Sequence, residues 1–296
     1  MAYGGRGGGE MKENSWIERD YLLLGVMGDP IGHSKSPAMH NAAITALGLS
    51  GAYVPLHVRP EGLGEAIQAV KALGFRGVNV TIPHKVEVMK YLDVVDEGAR
   101  QIGAVNTIVN DNGTLKGYNT DGIGYVRSLK DEACPDLKGK RIVVLGAGGA
   151  ARGIIYALIG EKPETISIVN RTAAKALALA EEWSSLADLR GYGEDYAEEA
   201  LLTADVIINT TSVGMFPRIS EIPIPQGHIP EGIVVSDLIY NPLKTELLRQ
   251  GELRQCTVHG GLGMFINQGA YALEYWTGLT APVQAMKEAV LSSFQA

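Results

Sequence analysis

The stretch Val144-Leu145-Gly146-Ala147-Gly148-Gly149-Ala150-Ala151 decides how this chain folds. A short apolar run over residues 142–145 leads into a G-x-G-x-x-A turn, and a helical pattern continues over 149–158. Gly146 permits the tight turn, Gly148 lets the backbone come close to a pyrophosphate, and Ala151 is small enough for close helix–strand packing. The free N–H groups at the helix start, with the positive end of its dipole, suit a diphosphate. The glycine pattern alone is a weak signal. With a strand before it and a helix after it, Gly146, Ala147, Gly148, Gly149 and Ala150 read as a dinucleotide-binding turn.

The same alternation extends on both sides. Residues 166–169, 206–208, 233–238 and 257–259 are further apolar, β-branched runs, with a helical stretch at 172–183. Continuous apolar runs are how parallel strands covered on both faces read. An earlier series places strands at 22–27, 52–57, 78–82 and 105–109, with helical spacing at 37–47 and 63–73 and shorter candidates at 85–92 and 97–102. Asp111-Asn112-Gly113 is a turn that closes a hairpin against 115–118. Residues 131–140, with Pro135 and Gly139, read as the link between the two series, and the chain turns helical again at 264–276 and 283–294. The expectation is an α/β protein of two α/β domains. Residues 21–120 plus 265–296 form a substrate-binding domain with an open, mostly parallel sheet, and 121–264 a dinucleotide-binding domain. The Gly-rich, then charged residues 1–20 read as a disordered extension without a signal-peptide apolar core.

The strand after the glycine turn bears on which dinucleotide. An NAD site ends that strand with a carboxylate for the ribose 2′-hydroxyl. Here it ends Val169-Asn170-Arg171-Thr172, with Lys175 one helical turn on. A guanidinium stacks on adenine or forks phosphate oxygens, so Arg171 and Lys175 point to NADP, although a surface turn with two solvated cations reads the same way. Asn209-Thr210-Thr211-Ser212 follows a later strand, where hydroxyls line such crevices or simply build a loop.

Bulk properties narrow the partners. The 296 residues are 46% hydrophobic, enough for two ordinary cores, and the net charge of −7 comes with no basic stripe for nucleic acid. No apolar run approaches the ~20 residues of a membrane helix. Cys134 and Cys256, far apart, read as reduced thiols of a cytoplasmic protein. His33, His40, His84 and His259 lack metal-ligand spacing and read as structural, so no metal is expected.

Four polar clusters mark the first series: Gly32-His33-Ser34-Lys35-Ser36-Pro37, Asn79-Val80-Thr81-Ile82-Pro83-His84-Lys85, Gly103-Ala104-Val105-Asn106-Thr107 and Gly117-Tyr118-Asn119-Thr120-Asp121-Gly122. Such hydroxyls and amides suit a polyhydroxylated ligand. Ser34 and Ser36 precede a helix with Pro37 at its expected first position, where a small carboxylate could bind, although Ser36 as a plain helix cap fits equally.

With the glycine turn, Asn170-Arg171-Thr172, Asp237-Leu238-Ile239-Tyr240-Asn241-Pro242 and residues 260–268, these clusters resemble the shikimate dehydrogenase family in order from about Leu22 to Thr277. The resemblance implies two α/β domains flanking a groove, the second Rossmann-like, with closing helices that return to the first. It implies NADP-dependent, reversible reduction of 3-dehydroshikimate to shikimate. By position, Ser34 and Ser36 would hold the carboxylate, and Asn79, Thr81, Asn106, Asp121 and Gln268 the ring hydroxyls. Tyr240 would line the cleft, and Lys85 with Asp121 would form the catalytic pair. Thr210, Thr211, Ser212, Leu238, Gly261 and Met264 would complete the cofactor contacts. A Lys85 ammonium can stabilise the oxyanion and donate the proton, and a carboxylate beside it favours its charged form. Which of the two moves the proton first stays open. Two positions depart from the family: Lys175 stands where many NADP-using relatives carry Arg, and Phe265 replaces a commonly aliphatic residue. A quinate or dual quinate/shikimate dehydrogenase, and a non-catalytic NADPH-binding sensor, remain as alternatives. Strand-edge pairing offers a route to a homodimer.

Overall fold

The computed structural model describes residues 21–294, so the expected disordered extension over 1–20 lies outside the described residues. The first sheet is built from β1 (Leu22–Gly28), α1 (Ser36–Ala46), β2 (Gly51–His57), α2 (Leu63–Ala72), β3 (Gly77–Val80), β4 (Val94–Val95), α3 (Glu97–Ile102), β5 (Thr107–Asp111) and β6 (Thr114–Tyr118). Its order is β2-β1-β3-β5-β6-β4, parallel except where β5 pairs antiparallel with β3 and β6. After α4 (Asp121–Glu132) come β7 (Arg141–Leu145), α5 (Gly149–Gly160), β8 (Thr165–Val169), α6 (Ala173–Glu182), β9 (Leu189–Tyr192), α7 (Glu198–Leu202), β10 (Val206–Asn209), β11 (Val234–Asp237), α8 (Glu246–Leu253) and β12 (Thr257–His259). These strands make a second, wholly parallel sheet, β12-β11-β10-β7-β8-β9. Its order reverses between β7 and β10, and ligands of doubly wound sheets bind beyond the strand ends at such a switch point. The glycine turn after β7 and the Thr/Ser turn after β10 flank that crevice.

The chain ends in α9 (Gly261–Thr277) and α10 (Val283–Ser292), which return to the first sheet. Trp276, fully buried, donates from its indole to the Ile108 carbonyl of β5 at 2.9 Å. Met286 and Val290 of α10 share a core with Leu24, Met39 and Tyr53. No helix among the described residues is long and apolar enough to cross a membrane.

Two of the expected elements differ in the structure. The span 85–92 holds a 3-10 turn over Glu87–Tyr91 instead of an α-helix, and Lys85 sits in the loop before it. The link expected over 131–140 begins with the last residues of α4. Helix α4 is obscured in the sequence because Gly122 and Gly124 weigh against helix. The packing requires them. A β-carbon at Gly122 would stand 2.1 Å from the Gly153 carbonyl oxygen of α5, and one at Gly124 would stand 2.5 Å from the Gln268 backbone nitrogen of α9. A boundary drawn between 264 and 265 also falls inside α9, whose first turn packs on Leu238 beyond β11 while its last turn lies on the first sheet. Gly122→Ala is therefore expected to cost about 1 to 3 kcal/mol by overpacking against backbone that cannot swing aside. Urea unfolding of the variant reads this, and an unchanged midpoint would show that the helices separate freely.

His40 lies fully buried, stacked on Tyr53 with ring centroids 4.3 Å apart, and neither ring nitrogen has a hydrogen-bond partner. Burial lowers its pKa from 6.5 to about 3. The folded protein keeps this ring neutral while the unfolded chain protonates it, so its contribution to stability is complete above pH 6.5 and is lost as pH falls toward about 3. The slope is about 1.4 kcal/mol per pH unit. Asp237 acts in the opposite sense: burial raises its pKa from 3.8 to about 6, which favours the folded state as pH falls through that window. The difference between wild type and His40→Phe isolates the histidine. Urea unfolding at pH 7, 6 and 5 should show a smaller acid loss in the variant, and parallel losses would remove His40 from the acid response.

Candidate active site

A cavity of about 480 Å³ opens between the carboxyl ends of the two sheets. Ser34 and Ser36 reach it from the loop leading into α1, Asn79 and Thr81 from the end of β3, and Lys85 from the loop beyond. Asn106 enters just before β5, and Asp121 as the first residue of α4. Tyr240, on the loop after β11, and Gln268 of α9 complete the lining. The topology thus brings every substrate-site candidate named from the sequence to one cavity.

The Lys85 ammonium lies 2.7 Å from Asp121 Oδ2, and both side chains retain some exposure to the cleft. The other carboxylate oxygen is fixed from behind, accepting from Asn106 Nδ2 at 2.8 Å. Asn106 is 2% exposed, and its amide oxygen accepts from the Thr120 backbone N–H at 2.8 Å and from the Thr107 hydroxyl at 2.9 Å. A buried amide held on all sides orients the catalytic candidate instead of presenting itself freely to a ligand. Asn79 is similar. Its Nδ2 donates to the Asn106 carbonyl and to Thr107 Oγ1, each at 3.1 Å, and its oxygen accepts from the buried Tyr53 hydroxyl at 2.8 Å. Both N–H groups are consumed, so Asn79 offers the cavity only an acceptor. Ser36 also differs from its expected position. It is the first residue of α1, with Pro37 second, and its side chain makes no cap. The Ser34 hydroxyl instead accepts from the Ser36 backbone N–H at 3.3 Å.

A second cavity of about 400 Å³ lies along the same crevice. Gly146, Asn170, Arg171, Thr172, Lys175, Thr211 and Ser212 line it. Gly146 has φ +109, a conformation that favours glycine, and a side chain there would also meet Thr210 Oγ1. The Thr210 hydroxyl is occupied, donating to the Leu145 carbonyl at 2.7 Å. Ala147 packs against the core beneath the turn. β-Carbons at Gly148 and Gly149 would meet nothing within 4 Å, so the start of α5 faces open volume. Asn170 Nδ2 donates to the Thr172 carbonyl at 3.0 Å and shapes the turn that presents Arg171. Arg171 and Lys175 carry no side-chain ion pair or hydrogen bond among the described residues, and two unpaired cations in one cavity suit an anion. Sequence reasoning missed Arg218, which lines the same cavity together with Glu194. Its only sequence signal is a proline-rich loop. The fold brings it back through successive turns, Met215 N to Ser212 O at 3.2 Å and Arg218 N to Met215 O at 2.9 Å. Ala150, Leu238, Gly261 and Met264, expected at the cofactor, line the first cavity, so the glycine turn opens directly onto the Lys85–Asp121 pair.

Family models match three segments: the shikimate dehydrogenase substrate binding domain over 26–108, shikimate/quinate 5-dehydrogenase over 128–217, and the shikimate 5′-dehydrogenase C-terminal domain over 261–291. A shikimate dehydrogenase (NADP(+)) of Geobacillus sp. (strain WCH70) is 49% identical over 279 residues, covering 94% of this chain and 100% of that protein. The chain belongs to the shikimate dehydrogenase family. Among solved members, a shikimate dehydrogenase in complex with NADP+ superposes with TM-score 0.86 at 44% identity, over 92% of this chain and 96% of that one. Shikimate 5-dehydrogenase from Thermus thermophilus, in complex with NADP(H) and shikimate, gives TM-score 0.84 at 38% identity over 92% and 99%. The three matched segments fall on the first sheet, on the span from α4 through β10, and on α9 with α10.

Proposed function

We propose that this chain is an NADP-dependent shikimate dehydrogenase that interconverts 3-dehydroshikimate and shikimate, with Lys85 and Asp121 handling the proton. The observation that carries this reading is the shared cavity, in which the Lys85 ammonium, 2.7 Å from Asp121, faces the turn that holds Ala150. The residues present fit the dinucleotide. Gly146, Gly148 and Gly149 leave room for a diphosphate at the start of α5, and Arg171, Lys175 and Arg218 offer positive charge where a 2′-phosphate would lie. When bound, NADPH supplies the hydride.

Lys85 donates a hydrogen bond to the ketone oxygen, stabilises the alkoxide as it develops and delivers the proton that completes the hydroxyl. Asp121 holds the ammonium in place, and Asn106 holds Asp121. In the oxidative direction the substrate's hydroxyl proton passes to the same Lys85–Asp121 pair. Ser34 and Ser36 take the carboxylate, Thr81 and Gln268 the ring hydroxyls, and Tyr240 closes the wall. Residues 21–120 with 265–296 form the substrate half and 121–264 the cofactor half, with α4 and α9 reaching across. A cytoplasmic location belongs to the same reading, as both Cys134 and Cys256 are free and buried.

The test follows reduced nicotinamide at about 340 nm with shikimate or quinate against NADP or NAD. Turnover of shikimate with NADP, well above the other combinations, is expected. A preference for quinate or for NAD would move the activity to the quinate branch of the same fold, and no turnover in any combination would leave only a binding role.

A further inference from the structure

The residue between the two serines of the cleft points away from it. Ser34 and Ser36 line the cavity, whereas the Lys35 ammonium lies 2.7 Å from the Ser293 carbonyl oxygen at the C-terminal end of α10. A cation is favoured there by the negative end of the helix dipole. The same ammonium stands 5.4 Å from the centroid of the Phe294 ring, within the range of a cation–π contact. Phe294 also meets Tyr240, with centroids 6.3 Å apart and planes at 55°. Tyr240 in turn stacks on Phe265 at 5.0 Å. The last described turn of the chain therefore touches both walls of the cleft: the serine loop on the first-sheet side and the loop beyond β11 on the second-sheet side.

We propose that Lys35 and Phe294 form a strut that sets the spacing between the Ser34–Ser36 loop and Tyr240. This makes them positioning residues for the substrate. The proposal rests on the reading of the cavity as the shikimate site. A ring gripped at its carboxylate by one wall and at its far edge by the other is held by contacts made equally before and during the reaction, so slack between the walls weakens binding and leaves the chemistry at Lys85 in place. The strut is separable from the fold. Phe294 packs at the edge of the core that buries Met286 and Val290 with Met39 and Ala43 of α1, so trimming it leaves those two anchors of α10 in place, and Lys35→Met tests the strut with that core untouched.

Phe294→Ala and Lys35→Met should each raise KM for shikimate about 3- to 10-fold with kcat within about twofold, the signature of lost substrate binding. KM for NADP should stay unchanged, and Phe294→Tyr, which keeps the ring, should restore the wild-type value. The double variant should be no worse than the worse single one, because both changes remove the same strut. An unchanged shikimate KM in either single variant, fully additive losses, or an equal rise in KM for NADP would overturn the proposal. Amide hydrogen exchange of residues 238–244 in the ligand-free protein gives a readout that needs no turnover. Faster exchange in Phe294→Ala is expected, and unchanged exchange removes the strut. If the wild type fails to turn over shikimate, the substrate assignment falls while the exchange experiment still decides the strut.

Discussion

Lys85→Ala should lower kcat for shikimate oxidation by about 10²-fold or more at saturating substrate and NADP. The loss has two parts. The proton route through the Lys85–Asp121 contact at 2.7 Å disappears, and the alkoxide that forms during reduction loses its nearest positive charge. Asp121 would also remain held by Asn106 without its cation, an uncompensated carboxylate facing the ketone. Lys85→Arg tests geometry apart from charge: it keeps the cation but not the compact ammonium, and should recover little. The control is NADPH affinity, measured by titration of cofactor fluorescence. Because Lys85 lines the first cavity and not the one holding Arg171, that affinity should change by less than about threefold. Turnover near wild type in Lys85→Ala would remove the residue from the chemistry.

The second large effect concerns cofactor choice. Arg171→Ala should weaken NADP binding by about 10- to 100-fold, corresponding to one charge-assisted contact of about 1.5 to 3 kcal/mol, with little change for NAD. The discrimination arises because Arg171 and Lys175 have no ion-pair partner among the described residues, so their full charge is available to a 2′-phosphate. Arg218, ion-paired with Glu221 at 3.4 Å, should contribute less. Isothermal titration with 2′,5′-ADP and 5′-AMP separates the phosphate from the rest of the dinucleotide. Equal losses for both ligands in Arg171→Ala would mean that the guanidinium stacks on adenine and does not read the phosphate.

What the sequence made legible was local chemistry with its own punctuation. The glycine turn could be read because a strand, two glycines and a small residue lie within ten positions, and each has a steric reason that does not depend on the rest of the fold. The strands of the second sheet stood out because burial on both faces leaves them uniformly apolar. Strand β9 did not, since it is an outer strand with Arg190 exposed. Helix α4 was hidden by the two glycines that its neighbours demand. Within the site, residue types announced the substrate wall, but not which side chains face it freely. Asn79 and Asn106 read as ligand donors, yet their amides are largely spent on Tyr53, Thr107, Thr120 and Asp121. Those partners are as far as 28 positions away in sequence, a distance at which pairings follow from sheet topology and leave no local pattern. Arg218 escaped because the loop that turns it back to the cavity carries no pattern beyond its prolines.

The glycine-mediated crossings of α4 with α5 and α9 also bear on recombination between relatives. A chimera cut between residues 264 and 265 would divide α9 and part most of it from α4 and α5, whereas a cut between 120 and 121 keeps all three helices on one side. Where the incoming helix bears a side chain opposite Gly122 or Gly124, the two halves would fold but sit askew, and the nicotinamide and the ketone would no longer meet. The part of this scaffold that can be exchanged as a module is therefore the segment before α4, which carries the first sheet, because α4, α5 and α9 enclose the whole second sheet in sequence and travel with it.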